Sequence, residues 1–325
     1  MRPAFSVIFL TTLIGAAQGL FLALFTAQTY AAFKLLPEPD AHAFYGQGSL
    51  LALALLVAGL AASFLHLGHP ERAWRAAAMW RTSWLSREVI VLPAFMGVVF
   101  LYGAAHWLGW HPVLLILPGG LPVDPSMILG VAGTLLAFAL FLCTAMIYAC
   151  LKFLGEWHSP LTVINYVLLG GASGFTLAAA FAAVTAPELV SFLAGWAAII
   201  TLLGLVSRGA SLVRNARLKP KSTLQTAIGI KHPGIVQKTQ GFMGGSFNTR
   251  EFFHGRPLAA LRRVKWFCLL AAFALPLLML LSGMHGGSIA LKAAFVVQYL
   301  GLLAERWYFF AQANHPQNLY YQSIA

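Results

Sequence analysis

The sequence predicts an all-α integral membrane protein, a bundle of eight transmembrane helices with both termini cytoplasmic. Three observations carry this. The chain is 59% hydrophobic, with a mean hydropathy of +0.77, and a soluble protein of this length cannot hide so much apolar surface. Eight apolar runs are each long enough to cross roughly 30 Å of hydrocarbon at about 1.5 Å per residue. The basic residues crowd into alternate connections between those runs. The spans are helices because lipid offers no hydrogen-bond partners, so each run must satisfy its own backbone.

The first run, 3–32, lacks a small-residue cleavage site at signal-peptide distance and is long enough to span, so it reads as a retained helix. The second, 48–65, ends at His66, and the third, 89–107, follows Glu88. The fourth covers 127–151, the fifth 161–184 and the sixth 189–207. Only Thr185-Ala186-Pro187-Glu188, a tight hairpin, divides the fifth from the sixth. The seventh covers 266–282. The eighth, 289–304, has Lys292 near its start and Glu305-Arg306 at its end.

Orientation follows from the basic residues. With the N-terminus inside, 19 of the 21 Lys and Arg lie on the cytoplasmic side, and only Lys34 and Lys292 do not. The opposite connections carry Glu38, Asp40, Asp124 and Glu188. The positive-inside rule then places residues 66–88 and the long 208–265 segment in the cytoplasm. The net charge of +12 would suggest nucleic acid in a soluble protein. Here it marks cytoplasmic loops beside lipid, and no nucleic-acid partner is expected. The 208–265 segment is either a solvated basic loop over the membrane or a docking surface. Docking is preferred, because four phenylalanines interleaved with glycines between Phe242 and Phe253 suit protein contact better than water.

Several chemistries are disfavoured. Cys143, Cys150 and Cys268 lie in apolar runs without a CxxC pair, so no disulfide framework, zinc site or iron–sulfur cluster is expected in this chain. A membrane haem needs axial histidines well inside the bilayer, and none of the ten histidines falls in mid-span. An ion path usually shows charged residues within spans, and the expected span interiors hold almost none.

The informative stretch is 66–88. In a chain only 9% charged, its 23 residues hold four arginines, two glutamates, two histidines and three tryptophans. One reading is an interfacial anchor, with tryptophans at headgroup level and arginines on lipid phosphate. The other is a site for a lipid-soluble redox carrier such as a quinone. Aromatic rings would stack on its ring, donors would meet its two oxygens, and a histidine titrating near neutral pH would exchange its protons with water. On this reading His66 bonds the quinone and relays protons. Arg72 and Arg87 offset developing negative charge or orient a partner, Trp74, Trp80 and Trp84 wall the pocket, and Arg75 is counted with the quinone-binding residues. Two further clusters fall on the same side, Tyr148 to His158 and Glu305 to Pro316, each either an aromatic belt or part of a functional face. Tyr148 is counted with the quinone-binding residues.

Leu65-His66-Leu67-Gly68-His69-Pro70-Glu71-Arg72-Ala73-Trp74-Arg75-Ala76, followed by Ser83-Trp84-Leu85-Ser86-Arg87-Glu88, resembles the membrane anchors of the dimethyl sulfoxide reductase type. The resemblance implies an eight-helix subunit of the bacterial cytoplasmic (inner) membrane that exchanges electrons with ubiquinone or menaquinone. It also implies two partners on the cytoplasmic face, a four-cluster iron–sulfur subunit and a molybdopterin catalytic subunit. The motif histidine, implicated in quinol binding in that family, corresponds to His66, and Arg72 is the motif arginine. The sequences FMGGSFNTREFFHG within 208–265 and ERWYFFAQANHPQNLYYQ near the C-terminus look more like anchors of the sulfite-oxidising branch. A cytoplasmic motif face agrees, since it puts the catalytic partners in the cytoplasm. The expected role is therefore to pass electrons from cytoplasmic sulfite oxidation to the quinone pool. The alternatives are a quinol-oxidising anchor of a terminal reductase, a purely structural anchor and a transporter.

Overall fold

The computed structural model describes residues 4–65, 67–117, 121–219, 223–239, 247, 249, 252–253, 257–284 and 287–321. Among them, eight helices are long and apolar enough to cross a membrane. These are α1 (Phe5–Ala32), α2 (His42–Phe64), α3 (Trp84–Trp107), α4 (Pro125–Ala149), α5 (Pro160–Thr185), α6 (Val190–Ala216), α8 (Leu258–Gly283) and α9 (Ser288–Ala311). A short helix, α7 (Leu224–Ile228), lies in the connection between α6 and α8. The two strands β1 (Leu115–Leu117) and β2 (Leu121–Val123) form an antiparallel hairpin between α3 and α4.

Three spans start on polar caps that fill otherwise orphaned backbone donors. Ser83 accepts from Ser86 N–H at the head of α3, Asp124 from Met127 N–H at α4, and Ser159 from Leu161 N–H at α5. Pro125 and Pro160 occupy the first turns of α4 and α5, where a missing N–H costs nothing.

The centre of the bundle is the pair α1 and α5. In their most apolar windows 72% and 67% of residues are buried, against 28–39% in the other six spans. Glycines make this pairing. A Cβ on Gly19 would lie 2.2 Å from Gly170 O, and one on Gly174 would lie 2.1 Å from Gly19 C, so the two backbones touch. Gly15/Gly19 and Gly170/Gly174 each have the four-residue spacing that lets membrane helices approach closely. The outer helices turn large apolar side chains outward, among them Leu50, Phe100, Leu135, Leu203, Leu278 and Val296. That surface suits hydrocarbon and not water.

Successive spans alternate in direction. One end of the bundle, the motif face, gathers the start of α1, residues 65–83, the α4–α5 connection and the ends of α6 and α9. Trp157 donates its indole N–H to Phe309 O at 2.9 Å. Arg214 donates to Gly155 O and His158 O, both at 3.0 Å. The other end, the hairpin face, carries β1–β2.

The helices overrun the expected spans by five residues or more at five ends, α2 beginning at His42 and α3 at Trp84 in place of 48 and 89. α6 runs on to Ala216, α9 to Ala311, and α8 begins at Leu258. Arg208, Glu305 and Arg306 therefore lie inside helices and not beyond them. The reason is ion pairing within the bundle: Glu305 Oε2 is 2.6 Å from Arg306 Nε, and its Oε1 is 2.8 Å from Arg208 Nε. All three side chains are almost fully buried. The expectation that span interiors lack charge is corrected accordingly.

Candidate functional site at the motif face

The connection from α2 to α3 contains a 3-10 helix, Pro70–Met79, with Pro70 and Glu71 in its first turn and no buried residue. It is strongly two-sided and lies on the outside of the bundle. Trp74 is 71% exposed and Trp80 52%. Each tryptophan of the stretch sits under a neighbouring arginine: Arg75 over Trp74 at 5.6 Å, Arg81 over Trp80 at 5.3 Å, Arg87 over Trp84 at 4.2 Å. No ring contact joins the three tryptophans among the described residues, so they make separate platforms, Trp74 and Trp80 exposed and Trp84 half-buried.

Arg87 is committed to the fold. Its Nε donates to Trp80 O at 2.9 Å and its Nη2 to Arg81 O at 2.8 Å, clamping the connection onto the head of α3. Arg72 lies 3.6 Å from Glu71, which also faces His69 Nδ1 at 3.1 Å, all in solvent-exposed positions. Arg72 and Arg75 remain accessible. His66 lies outside the described residues.

The next residue after Arg87 turns the other way. Glu88 is buried and accepts a 2.6 Å hydrogen bond from the Thr144 hydroxyl of α4. It continues a stripe of buried residues on α3, namely Leu92, Phe95, Val99, Tyr102 and His106, at alternating spacings of four and three. From the sequence, Glu88 was expected only as part of the surface stretch.

Glu88 opens on an internal cavity of about 30 Å³, room for roughly one or two water molecules. Gln18, Thr144, Tyr166, Ser173 and Arg306 also line it. A second, smaller polar cavity lies nearer the motif face, between α5, α6, α9 and the α4–α5 connection, lined by Glu156, Asn165, Arg208, Ser211, Arg214 and Arg306. Burial pushes the Glu156 carboxyl above the ordinary glutamate value.

Tyr148 belongs to this interior and not to the exposed stretch. It sits in a buried aromatic cluster with ring centroids 5.4 Å from Trp157, 6.1 Å from Tyr166, 5.6 Å from Phe309 and 5.4 Å from Phe310. The phenylalanines expected to serve docking also fold back on their own chain. Phe252 and Phe247 meet His315 at 4.9 and 5.6 Å, and Phe253 meets Trp307 at 5.7 Å. Burial among these rings lowers the His315 pKa. Phe242 lies outside the described residues.

The hairpin face holds a separate polar inset. Tyr102 donates to Gln28 Oε1 at 2.8 Å, Gln28 to Ser126 at 2.6 Å, and Ser126 to Asp124 at 2.8 Å. His111 Nδ1 lies 2.9 Å from the other Asp124 oxygen. Burial works against the Asp124 charge, but the Met127 N–H, the Ser126 hydroxyl and His111 together hold its pKa below the ordinary aspartate value. A groove of about 340 Å³ between α2 and α3, lined by residues such as Leu50, Val99, Phe100 and Leu108, is almost wholly apolar and offers no set of donors.

An eight-span bundle with an exposed basic-aromatic connection and a polar interior beneath it defines a multi-pass membrane protein. The sequence matches the family described as DMSO reductase anchor subunit (DmsC) over residues 1–307, and the chain belongs to that family. It is 61% identical over 326 residues, covering 100% of each chain, to the C subunit of the sulfite dehydrogenase of Allochromatium vinosum.

Proposed function

We propose that this chain is the membrane anchor and quinone-reducing site of a molybdenum and iron–sulfur oxidoreductase in the bacterial inner membrane. Electrons from sulfite oxidation by cytoplasmic partner subunits would pass through it to ubiquinone or menaquinone. The observation that carries this reading is the junction of Arg87 and Glu88, where an exposed aromatic and cationic platform meets a buried carboxyl within one turn of α3. The full-length similarity to one subunit of a sulfite dehydrogenase supports the choice of donor.

The residues present suit a quinone in a specific way. The internal cavity is large enough for water alone, and the α2–α3 groove lacks donors, so the exposed surface beside the 3-10 helix is the place among the described residues that offers a quinone both room and donors. There Arg72 and Arg75 offer charged donors and Trp74 and Trp80 offer faces for stacking. The family resemblance implies a role for His66 in binding the quinone. A bound quinone takes up two electrons and two protons. Glu88 is the group this chain can use to hold a proton next to that surface while staying shielded from bulk water.

The test is a pair of variants in the intact complex. His66→Ala and Glu88→Gln are expected to leave assembly and sulfite-dependent reduction of an artificial acceptor unchanged. Quinone reduction should fall by about a hundredfold, the usual worth of a positioned acid–base group. Unaltered quinone kinetics in both would reject the site. A purely structural anchor is favoured by the exposed Trp–Arg pairs, which also suit lipid headgroups. A photoreactive quinone analogue that labels a partner subunit and not this chain would select that reading.

A further inference from the structure

Resting on the quinone-reducing role proposed above, we infer that the two cavities joined at Arg306, through the polar side chains in their walls, form the proton supply to Glu88. The supply opens only to the motif face, because an apolar layer seals the bundle toward the hairpin face.

The route starts at half-buried Glu156, Arg214 and Asn215, which reach the motif face. It passes the smaller cavity to Arg306, whose guanidinium lines both cavities, and enters the larger one beside Glu88. Unpartnered buried atoms mark its course. Asn165 Oδ1, Arg208 Nη2 and Arg306 Nη1 have no hydrogen-bond partner among the described residues. Buried polar atoms are rarely left so, and small polar cavities beside them are the usual seats of ordered water. Glu305 holds Arg306 in place and offsets part of the charge that Arg306 and Arg208 bring together.

Beyond the larger cavity the polar lining stops. Gln18 is its deepest member on α1, and the next polar group on that buried face is Gln28, about 15 Å further along the helix axis. Leu20, Phe21 and Leu24 fill the interval and are fully buried, with Phe95 and Val99 from α3 packed against them. Phe21 and Phe95 meet edge to face at 5.5 Å. The Tyr102–Gln28–Ser126–Asp124 chain ends on the far side of this layer. Oxidation of sulfite with water to sulfate releases two electrons and two protons at the donor side. Reduction of the quinone then consumes two protons drawn from that same side, and no charge crosses the membrane.

The whole complex, reconstituted in vesicles that contain ubiquinone and a trapped pH indicator, tests this. With sulfite added outside, the trapped indicator is expected to stay constant, no membrane potential should build, and an uncoupler should not change the rate. Alkalinisation of the interior in step with quinone reduction would overturn the inference while leaving the quinone role intact. Failure to reduce quinone at all, with the artificial-acceptor activity preserved, would remove that role and the inference together. Asn165→Leu, which fills the smaller cavity, supplies the second readout. It is expected to slow quinone reduction by about tenfold, with recovery on adding a small permeant weak acid. Slowing with no such recovery would count against the route.

Discussion

Glu305 pairs with two arginines inside the bundle, and its removal measures how much the fold relies on that. Breaking a buried ion group by deleting one partner costs about 3–5 kcal/mol, because the remaining charge is left unpaired. Glu305→Ala leaves Arg208 and Arg306 so placed, and is expected to lower the thermal midpoint of the detergent-solubilised protein sharply. Glu305→Gln should cost less, since it keeps hydrogen-bond acceptance. Glu156 gives the matching pH effect. Its folded pKa is raised by burial, so the folded state binds its proton more readily than the unfolded chain does. That contribution is fully present below the unfolded glutamate value of about 4.3 and is lost as pH rises through the raised folded value. Mild acidification should therefore stabilise the α4–α5 connection, seen as slower hydrogen exchange at 150–159, and Glu156→Gln should flatten that dependence. Among single residues, Arg72 and the tryptophans of the motif were legible from composition, because both are conspicuous in an apolar chain. Glu88 and Arg208 were not. A charge at the edge of an apolar run reads as the end of a span unless its partner, distant in sequence, is known.

At the scale of elements, the spans themselves were legible because a lipid-crossing helix needs only length and apolar character, and all eight expected spans correspond to helices. Their mutual arrangement was not, since apolar residues all round a helix give no phase. What decides the arrangement is where backbones can touch. Gly174→Val would drive its side chain into the backbone of α1 at Gly19, and is expected to abolish recovery of folded protein from membranes. Gly97, on α3, has nothing within 4 Å of a Cβ position. Gly97→Ala should be neutral or stabilising by up to about 1 kcal/mol, the difference in helix propensity. Equal yields for the two variants would contradict the α1–α5 contact.

For the whole molecule, the charge distribution predicts which way the bundle sits. The motif face, with most of the Lys and Arg, is expected in the cytoplasm. Single cysteines placed at Thr223 and at Val113, in a chain whose three native cysteines are replaced, should label from opposite sides. The residue at 223 should react only after the membrane is permeabilised in whole cells, once the outer envelope has been opened. The reverse pattern would move the partners to the other compartment. The candidate site was partly legible at this scale. Orientation gathered the motif, the α4–α5 connection and the end of α9 on one face, and the structure brings the last two into contact through Trp157 and Phe309. The fate of the phenylalanines in the long connection was hidden, because composition cannot separate a surface that binds another protein from one that binds its own chain.

The glycine seam between α1 and α5 also sets a timetable for biogenesis. α1 leaves the ribosome first, but Gly170 and Gly174 are made about 150 residues later, on the order of ten seconds at ordinary elongation rates. Until then the most buried helix of the finished protein must wait in lipid or against the insertion machinery, with its glycine face uncovered. The nascent chain is thus most exposed to quality-control proteases at a stage when half of its spans are already in the membrane.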